Sequence, residues 1–179
     1  MLNETPQWVA LYTNPRAEKA TAAYLQSLGY ETYLPLQRSL HRWSDRWKSV
    51  EVPLLSSYIF AKIRNTDVVP VRNLKGVSYI VSWHGQPGII PDSEIESIRR
   101  LMDAAAEVKV MNDSELKKGA KVRIVEGQFA GMEGTLISNC QGGNFGISIS
   151  GLNFTLVMDI EKSILEPIKE PKKTKKECL

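Results

Sequence analysis

Two histidines, His41 and His84, and two cysteines, Cys140 and Cys178, are all the imidazole and thiol groups that a chain of 179 residues offers for chemistry. His41 and Asp45 stand at i and i+4, a spacing that pairs a base with a carboxylate when both lie on one helix face. Their segment, "QRSLHRWSDRWKSV" (37–50), reads instead as a β-hairpin among exposed cations. No GxSxG, P-loop, HExxH or CxxC pattern occurs, and the cysteines lack paired spacing. Catalysis is not expected, and neither is a metal, a cofactor or a disulfide framework.

Binding chemistry is better supplied. In "WVALYTN" (8–14) a strand would put Trp8 and Tyr12 on one face, and in "SSYIFAKI" (56–63) it would do the same for Tyr58 and Phe60. Such rings either form an anchoring patch or fill the core beneath helices; the hydroxyls of Tyr12 and Tyr58 favour a wet edge. The 37–50 segment offers Arg42, Trp43, Arg46 and Trp47, cations that pair with phosphates beside rings on which a base can stack. A solvated hairpin whose tryptophans cover a sheet edge is the alternative.

The net charge of +3 is local. The tail from Lys169 holds five lysines against two glutamates, a balance of +3, and the remaining chain is neutral at 18 basic and 18 acidic residues. Arg38, Arg42, Arg46 and Lys48 face only Asp45. That pattern suits a local polyanion contact rather than a coat of positive charge. The tail reads as a disordered, solvated end. No apolar run is long enough to span a bilayer, and the opening MLNETPQW lacks a signal-peptide layout, so a cytoplasmic protein is expected.

The elements that must hold these residues fall into two groups. After the first strand, Asn14 and Pro15 predict a helix start, with Ala17, Ala20, Tyr24, Leu25 and Leu28 on its apolar face and Gly29 closing it. "YETYLPL", "SVEVPLL" and "SSYIFAKI" predict antiparallel strands. Asp67 and Gly76 bracket a short helix, "VSYIVSW" a strand, and Ser93 with Glu96 a capping box opening a helix buried through Ile95, Ile98, Leu101, Met102 and Ala105. This predicts an α+β sandwich of ferredoxin-like arrangement over 1–106. Residues 107–116 read as a linker, 117–168 as a small all-β barrel with "SGLN" (150–153) as a hairpin turn, and 169–179 as the basic tail.

In "KKGAKVRIVEGQFAGMEGTL" (117–136), Gly119, Val122, Ile124, Gly127, Gln128, Phe129, Gly131 and Gly134 resemble the KOW motif of SH3-like barrels, with Gln128 where that motif usually has proline. "WVALYTNPRAEKATAAYLQSLGYETYLPL", "VPLLSSYIFAKI" and "LKGVSYIVSWHGQPGIIPDSEI" resemble the NusG amino-terminal (NGN) domain. An NGN domain followed by a KOW domain resembles the NusG family of transcription elongation factors, and "YTNPRAEK" with "HRWSDRWKSVEVP" is most similar to its UpxY-type antiterminators.

The resemblance implies a monomer that binds the clamp helices of RNA polymerase through Trp8, Tyr12, Tyr58 and Phe60, suppressing pausing or termination at a polysaccharide-synthesis operon. It implies contacts of Arg16 and Lys75 to non-template DNA or a nascent RNA leader; Lys19 and Arg72 are near neighbours of these in sequence, and Arg42, Trp43 and Arg46 of the hairpin are read as joining them. It also implies that Phe129 presents the barrel to ribosomal protein S10 or Rho, although Phe129 could equally pack down as a lid. The threonine-rich run by which RfaH-like members touch the opposite polymerase jaw is here Asp67, Val68, Val69 and Pro70, so that second contact does not carry over. A general NusG-type factor and a ribosome- or RNA-binding KOW protein are the alternatives.

Overall fold

The computed structural model describes residues 4–43, 46–104, 107–138 and 144–168, with the side chains of His41 and Trp43 outside the described set. Asp45, Ala105, Cys140, Cys178 and the lysine tail from Lys169 also lie outside it. In order come β1 (Gln7–Thr13), α1 (Glu18–Ser27), β2 (Glu31–Tyr33), β3 (Leu36–Trp43), β4 (Arg46–Pro53), β5 (Tyr58–Ile63), α2 (Val68–Arg72), β6 (Val77–Ile80), β7 (Ser82–Trp83), β8 (Gln86–Pro87), β9 (Ile89–Ile90) and α3 (Asp92–Asp103). The first sheet is antiparallel in the order β2-β5-β1-β6, with β9 also on β1.

Alternation along β1 and β5 sorts side chains to two faces. Val9, Leu11, Ile59, Ala61 and Ile63 pack against Ala22 and Leu25 of α1 and Val71 of α2. Trp8, Ala10 and Phe60 face the other way, in one cluster with Ile95, Ile98 and Leu101 of α3. Helices therefore cover both faces, where a ferredoxin-like sandwich would carry them on one. β3 and β4 form a separate two-stranded ladder in register from Leu36↔Pro53 to Trp43↔Arg46. Eight residues per strand project it about 25 Å from the sheet at roughly 3.3 Å per residue.

Three local expectations need correction. The buried side of α1 is Glu18, Thr21, Ala22 and Leu25, while Tyr24 and Leu28 are 45% and 48% exposed. Polar anchoring turns the helix: Glu18 accepts the Ser57 N–H at 2.8 Å, and Thr21 fills the space beside Gly76, where a Cβ would sit 2.2 Å from its Oγ1. The helix starts at Glu18 rather than after Asn14, because Arg16 takes the left-handed φ of 63° and Asn14 turns its side-chain oxygen to the Ser78 hydroxyl. The capping box at α3 does not form either: Asp92 opens the helix behind Pro91, and the Ser93 carbonyl accepts the Ser97 hydroxyl.

The second sheet comprises β10 (Lys109–Asn112), β11 (Lys118–Ile124), β12 (Glu133–Ile137), β13 (Phe145–Ser148), β14 (Phe154–Met158) and β15 (Leu165–Pro167), antiparallel in the order β10-β14-β13-β12-β11-β15. β10 lies in the stretch expected to be a linker. It pairs with β14 from Lys109↔Val157 to Asn112↔Phe154, and Asp113 then accepts the Thr155 hydroxyl and the Lys118 ammonium. A short edge strand of mixed polarity has too little periodicity to stand out in sequence. The glycines of 117–136 serve distinct ends: at Gly134 a Cβ would meet Phe145 Cζ at 2.5 Å and the Gly146 carbonyl at 2.6 Å, so the Phe145 ring lies flush on bare backbone.

Candidate functional site

A row of tyrosines crosses the first sheet at one level. Tyr12 on β1 pairs in register with Tyr58 on β5 and with Tyr79 on β6. Its ring meets Tyr58 edge to face at 5.1 Å and stacks on Tyr79 at 4.8 Å, geometries that ring quadrupoles favour. Tyr12 and Tyr58 are half-buried and Tyr79 is exposed. Burial, with the neighbouring Tyr79 and Tyr12 adding to it, raises the Tyr58 pKa above the ordinary phenol value, so its hydroxyl stays a neutral donor.

Tyr58 is set by the turn before it. Ser57 has a φ of 65°, unusual for a residue with a side chain, and its N–H points at the buried Glu18 carboxylate. The Ser57 carbonyl accepts the Thr13 N–H at 2.8 Å, tying that turn to the end of β1 beside Tyr12.

Trp8 and Phe60, expected on the same face, are there but covered. They are 3% and 0% exposed beneath α3. The Trp8 indole donates to Asp92 at 2.9 Å, with Lys62 and Arg99 over its ring at 5.6 and 5.8 Å; Arg99 also lies 4.9 Å from the Tyr33 ring. Chiefly the hydrogen bond from Lys62 lowers the Asp92 pKa, whereas burial pushes Tyr33 up to about 12. Trp8 and Phe60 thus continue the face of Tyr12 and Tyr58 along β1 and β5, beneath α3.

The expected nucleic-acid contacts divide between two places. Arg16 is exposed on the β1–α1 turn, and the Asn14 N–H two residues earlier donates to the Gly76 carbonyl next to Lys75. Arg72 ends α2, three residues before Lys75, so these cations share one end of the sheet. Lys19 is bound instead to the Glu51 carbonyl of β4 at 2.8 Å, bracing the hairpin base. On the hairpin, Arg42 opposes Trp47, and Arg38 and Leu40 share their face by alternation; Arg46 and Lys48 fall on the other. Leu40 and Trp47 are 69% and 66% exposed. Trp47 is thus the ring beside Arg42, while Trp43 opposes Arg46 in register.

Phe129 sits in a turn bounded by Gly127 and Gly131, both at positive φ near 80°, and is 8% exposed. Its flanking carbonyls on Gln128 and Ala130 accept hydrogen bonds from Arg100 of α3 at 3.0 and 3.1 Å. Phe154 of β14 reaches the Tyr58 ring edge to face at 5.8 Å. Tyr79, Phe154 and Arg100 had not been singled out from sequence. For Tyr79 a signal existed in "VSYIVSW", but only pairing with β1 brings it to Tyr12. Among the described residues no group of three or more His, Cys, Asp or Glu could hold a metal, and no helix is long and apolar enough to cross a membrane.

The described residues form an antiparallel α/β module carrying an aromatic row and cationic loops, followed by an antiparallel β module. The sequence profile described as "Transcription termination factor nusG" matches residues 6–99, over half of the 179-residue chain. The protein belongs to the NusG family, whose members are non-enzymatic transcription factors. The chain is similar in fold to the structure "Domain interaction in Thermotoga maritima NusG", with TM-score 0.50 and 21% identity over 92% of this chain and 98% of that one. It also aligns with conformation A of the MjSpt4:Spt5 complex at TM-score 0.31 and 16% identity, covering 92% of this chain and 99% of that one. No curated protein matches it.

Proposed function

We propose that the protein is a specialised elongation factor of the cytoplasm that docks its tyrosine row on the clamp helices of RNA polymerase and suppresses pausing or termination. In this reading residues 1–106 form the NGN domain and 117–168 the KOW barrel, with β10 of the former linker completing its sheet. Tyr12 and Tyr58 grip the clamp, and Trp8 and Phe60 continue their face beneath α3. Arg16, Arg72, Lys75 and the hairpin face of Arg42 and Trp47 meet the exposed non-template strand or the nascent leader. Lys19 acts by holding the hairpin base. The chemistry belongs to polymerase and the protein changes only its pausing.

The observation that carries the proposal is the tyrosine row itself: three strands place a half-open phenol at one level on a sheet packed on both faces elsewhere. A patch of rings held by strands suits an anchor for a helical partner. The projecting Arg/Trp hairpin favours the specialised, UpxY-type role at a polysaccharide operon over a general one. Transcription with purified polymerase tests this on two templates, one carrying the leader of the protein's own operon and one an unrelated leader. Read-through raised only on the former supports the specialised role. Equal gain on both would make it a general factor, and no gain on either would remove the proposal.

A further inference from the structure

Tyr79 is the one ring of the tyrosine row that no further strand covers. It lies on β6, an edge of the first sheet, and stacks on Tyr12 at 4.8 Å with 15° between the ring planes, so Tyr12 occupies its inner face. The residue is nevertheless 47% exposed, which leaves the outer face to solvent. A bulge sets this presentation. From Tyr12↔Tyr79 to Thr13↔Val77, β1 advances by one residue and β6 by two, so Ser78 is the extra residue. Its hydroxyl donates to the Asn14 side chain, and the Asn14 N–H donates to the Gly76 carbonyl at 3.0 Å. These bonds pin the turn that carries Arg16 to the turn that carries Lys75. Arg16, Arg72 and Lys75 are exposed, and among the described residues none has a carboxylate partner, whereas Lys62, Arg99, Lys118 and Arg123 are all ion-paired. Lys75 stands within about 13 Å of Tyr79 along the chain, at roughly 3.3 Å per residue.

We infer that the outer face of Tyr79 is a stacking platform for an unpaired nucleic-acid base, whose neighbouring phosphates meet Lys75 and Arg16. Tyr12 already holds the ring flat, so little freedom is lost on binding, and every base has a π-face that extends the stack. A base inside a duplex has both faces covered, so the platform takes single strands. A helix of a protein partner would instead need apolar neighbours around the ring. Those along the edge are the exposed Ser78 and Ser82, and the turn ahead of them is cationic. This site rests on the proposed contact of Arg16, Arg72 and Lys75 with the non-template strand or the nascent leader, and supplies the group that takes the base.

Single strands of about twelve nucleotides, one of DNA and one of RNA with the same sequence, carry 2-aminopurine at each position in turn; its fluorescence falls when it stacks. Titration with the full chain should quench it where the base meets Tyr79. Tyr79→Leu should abolish that quenching and bind about tenfold more weakly, while Tyr79→Phe and Tyr79→Trp keep a ring and should keep both. Lys75→Ala should instead lower the slope of affinity against salt by about 0.7, a slope that Tyr79→Leu leaves as it is. Quenching in the DNA arm assigns the platform to the non-template strand, and in the RNA arm to the leader. A Tyr79→Leu chain that quenches and binds as wild type does would overturn the inference. So would one that holds the strand but loses the polymerase clamp helices, which would give the ring to polymerase. If wild type binds neither strand, the nucleic-acid reading fails and the platform with it; binding that responds to Lys75→Ala but not to Tyr79→Leu removes the platform alone.

Discussion

Glu18→Ala is the substitution that most directly probes how the tyrosine row is positioned. In the native chain the buried Glu18 carboxylate accepts the N–H of Ser57, itself 8% exposed and held at a φ of 65°. Losing a hydrogen bond to a charged group costs about 1.5–3 kcal/mol. The left-handed serine already stores about 1–2 kcal/mol, and without its tether the turn can relax away from that conformation. Relief of strain and of the buried charge offsets part of the loss, which leaves a net cost of about 2 kcal/mol, or about 4–8 °C in Tm for a chain of this size. Glu18→Gln keeps an oxygen at the acceptor position and should lose less than half as much. Ser57→Gly removes the penalty on φ and should be neutral or stabilising by up to about 1 kcal/mol. Thermal unfolding of the three variants measures these terms. Binding to clamp helices, measured well below Tm, should weaken several-fold in Glu18→Ala because Tyr58 directly follows Ser57. A Glu18→Ala protein that melts within about 1 °C of wild type, or a Ser57→Gly protein that melts well below it, would refute the reasoning.

Gly134→Ala should cost about 1–3 kcal/mol, since overpacking against a ring and a carbonyl leaves nowhere to move; Gly119→Ala, whose Cβ has no neighbour nearer than 3.5 Å, should be near neutral by urea unfolding. Arg42→Ala should lower the slope of nucleic-acid affinity against salt by about 1, while Trp47→Ala should weaken binding and leave that slope unchanged. Asp92 has a lowered pKa in the fold, so its tie to Trp8 is fully formed above the unfolded value of about 3.9 and is lost as pH falls through the folded one. The Trp8 indole N–H signal should shift in that acid range, and Asp92→Asn should remove the step.

The sequence was most legible where one period dominates. β1 and β5 read as strands from their near-continuous apolar runs, and α3 showed its buried stripe through Ile95, Ile98 and Leu101. α1 misled because its buried stripe includes Glu18 and Thr21, polar residues recruited by a strained turn and a glycine distant in sequence. β10 was missed since its partner strand is more than forty residues away, and edge strands need little apolar periodicity. For the site, alternation alone put Trp8 with Tyr12 and Tyr58 with Phe60, each pair on one face of its strand. The meeting of Tyr12 with Tyr58 and Tyr79 could not be read that way, because cross-strand level depends on register. The burial of Trp8 and Phe60 depends on where α3 lies, and that position is set by packing rather than by any local pattern.

The affinity of the full chain for the polymerase clamp helices, compared between wild type and Tyr12→Ser/Tyr58→Ser, tests the central claim most directly. The account predicts that the double variant stays folded, because both rings are only half-buried, and loses at least a hundredfold in affinity, about 2.7 kcal/mol for two anchoring rings. A folded double variant that binds the clamp helices as tightly as wild type would contradict it.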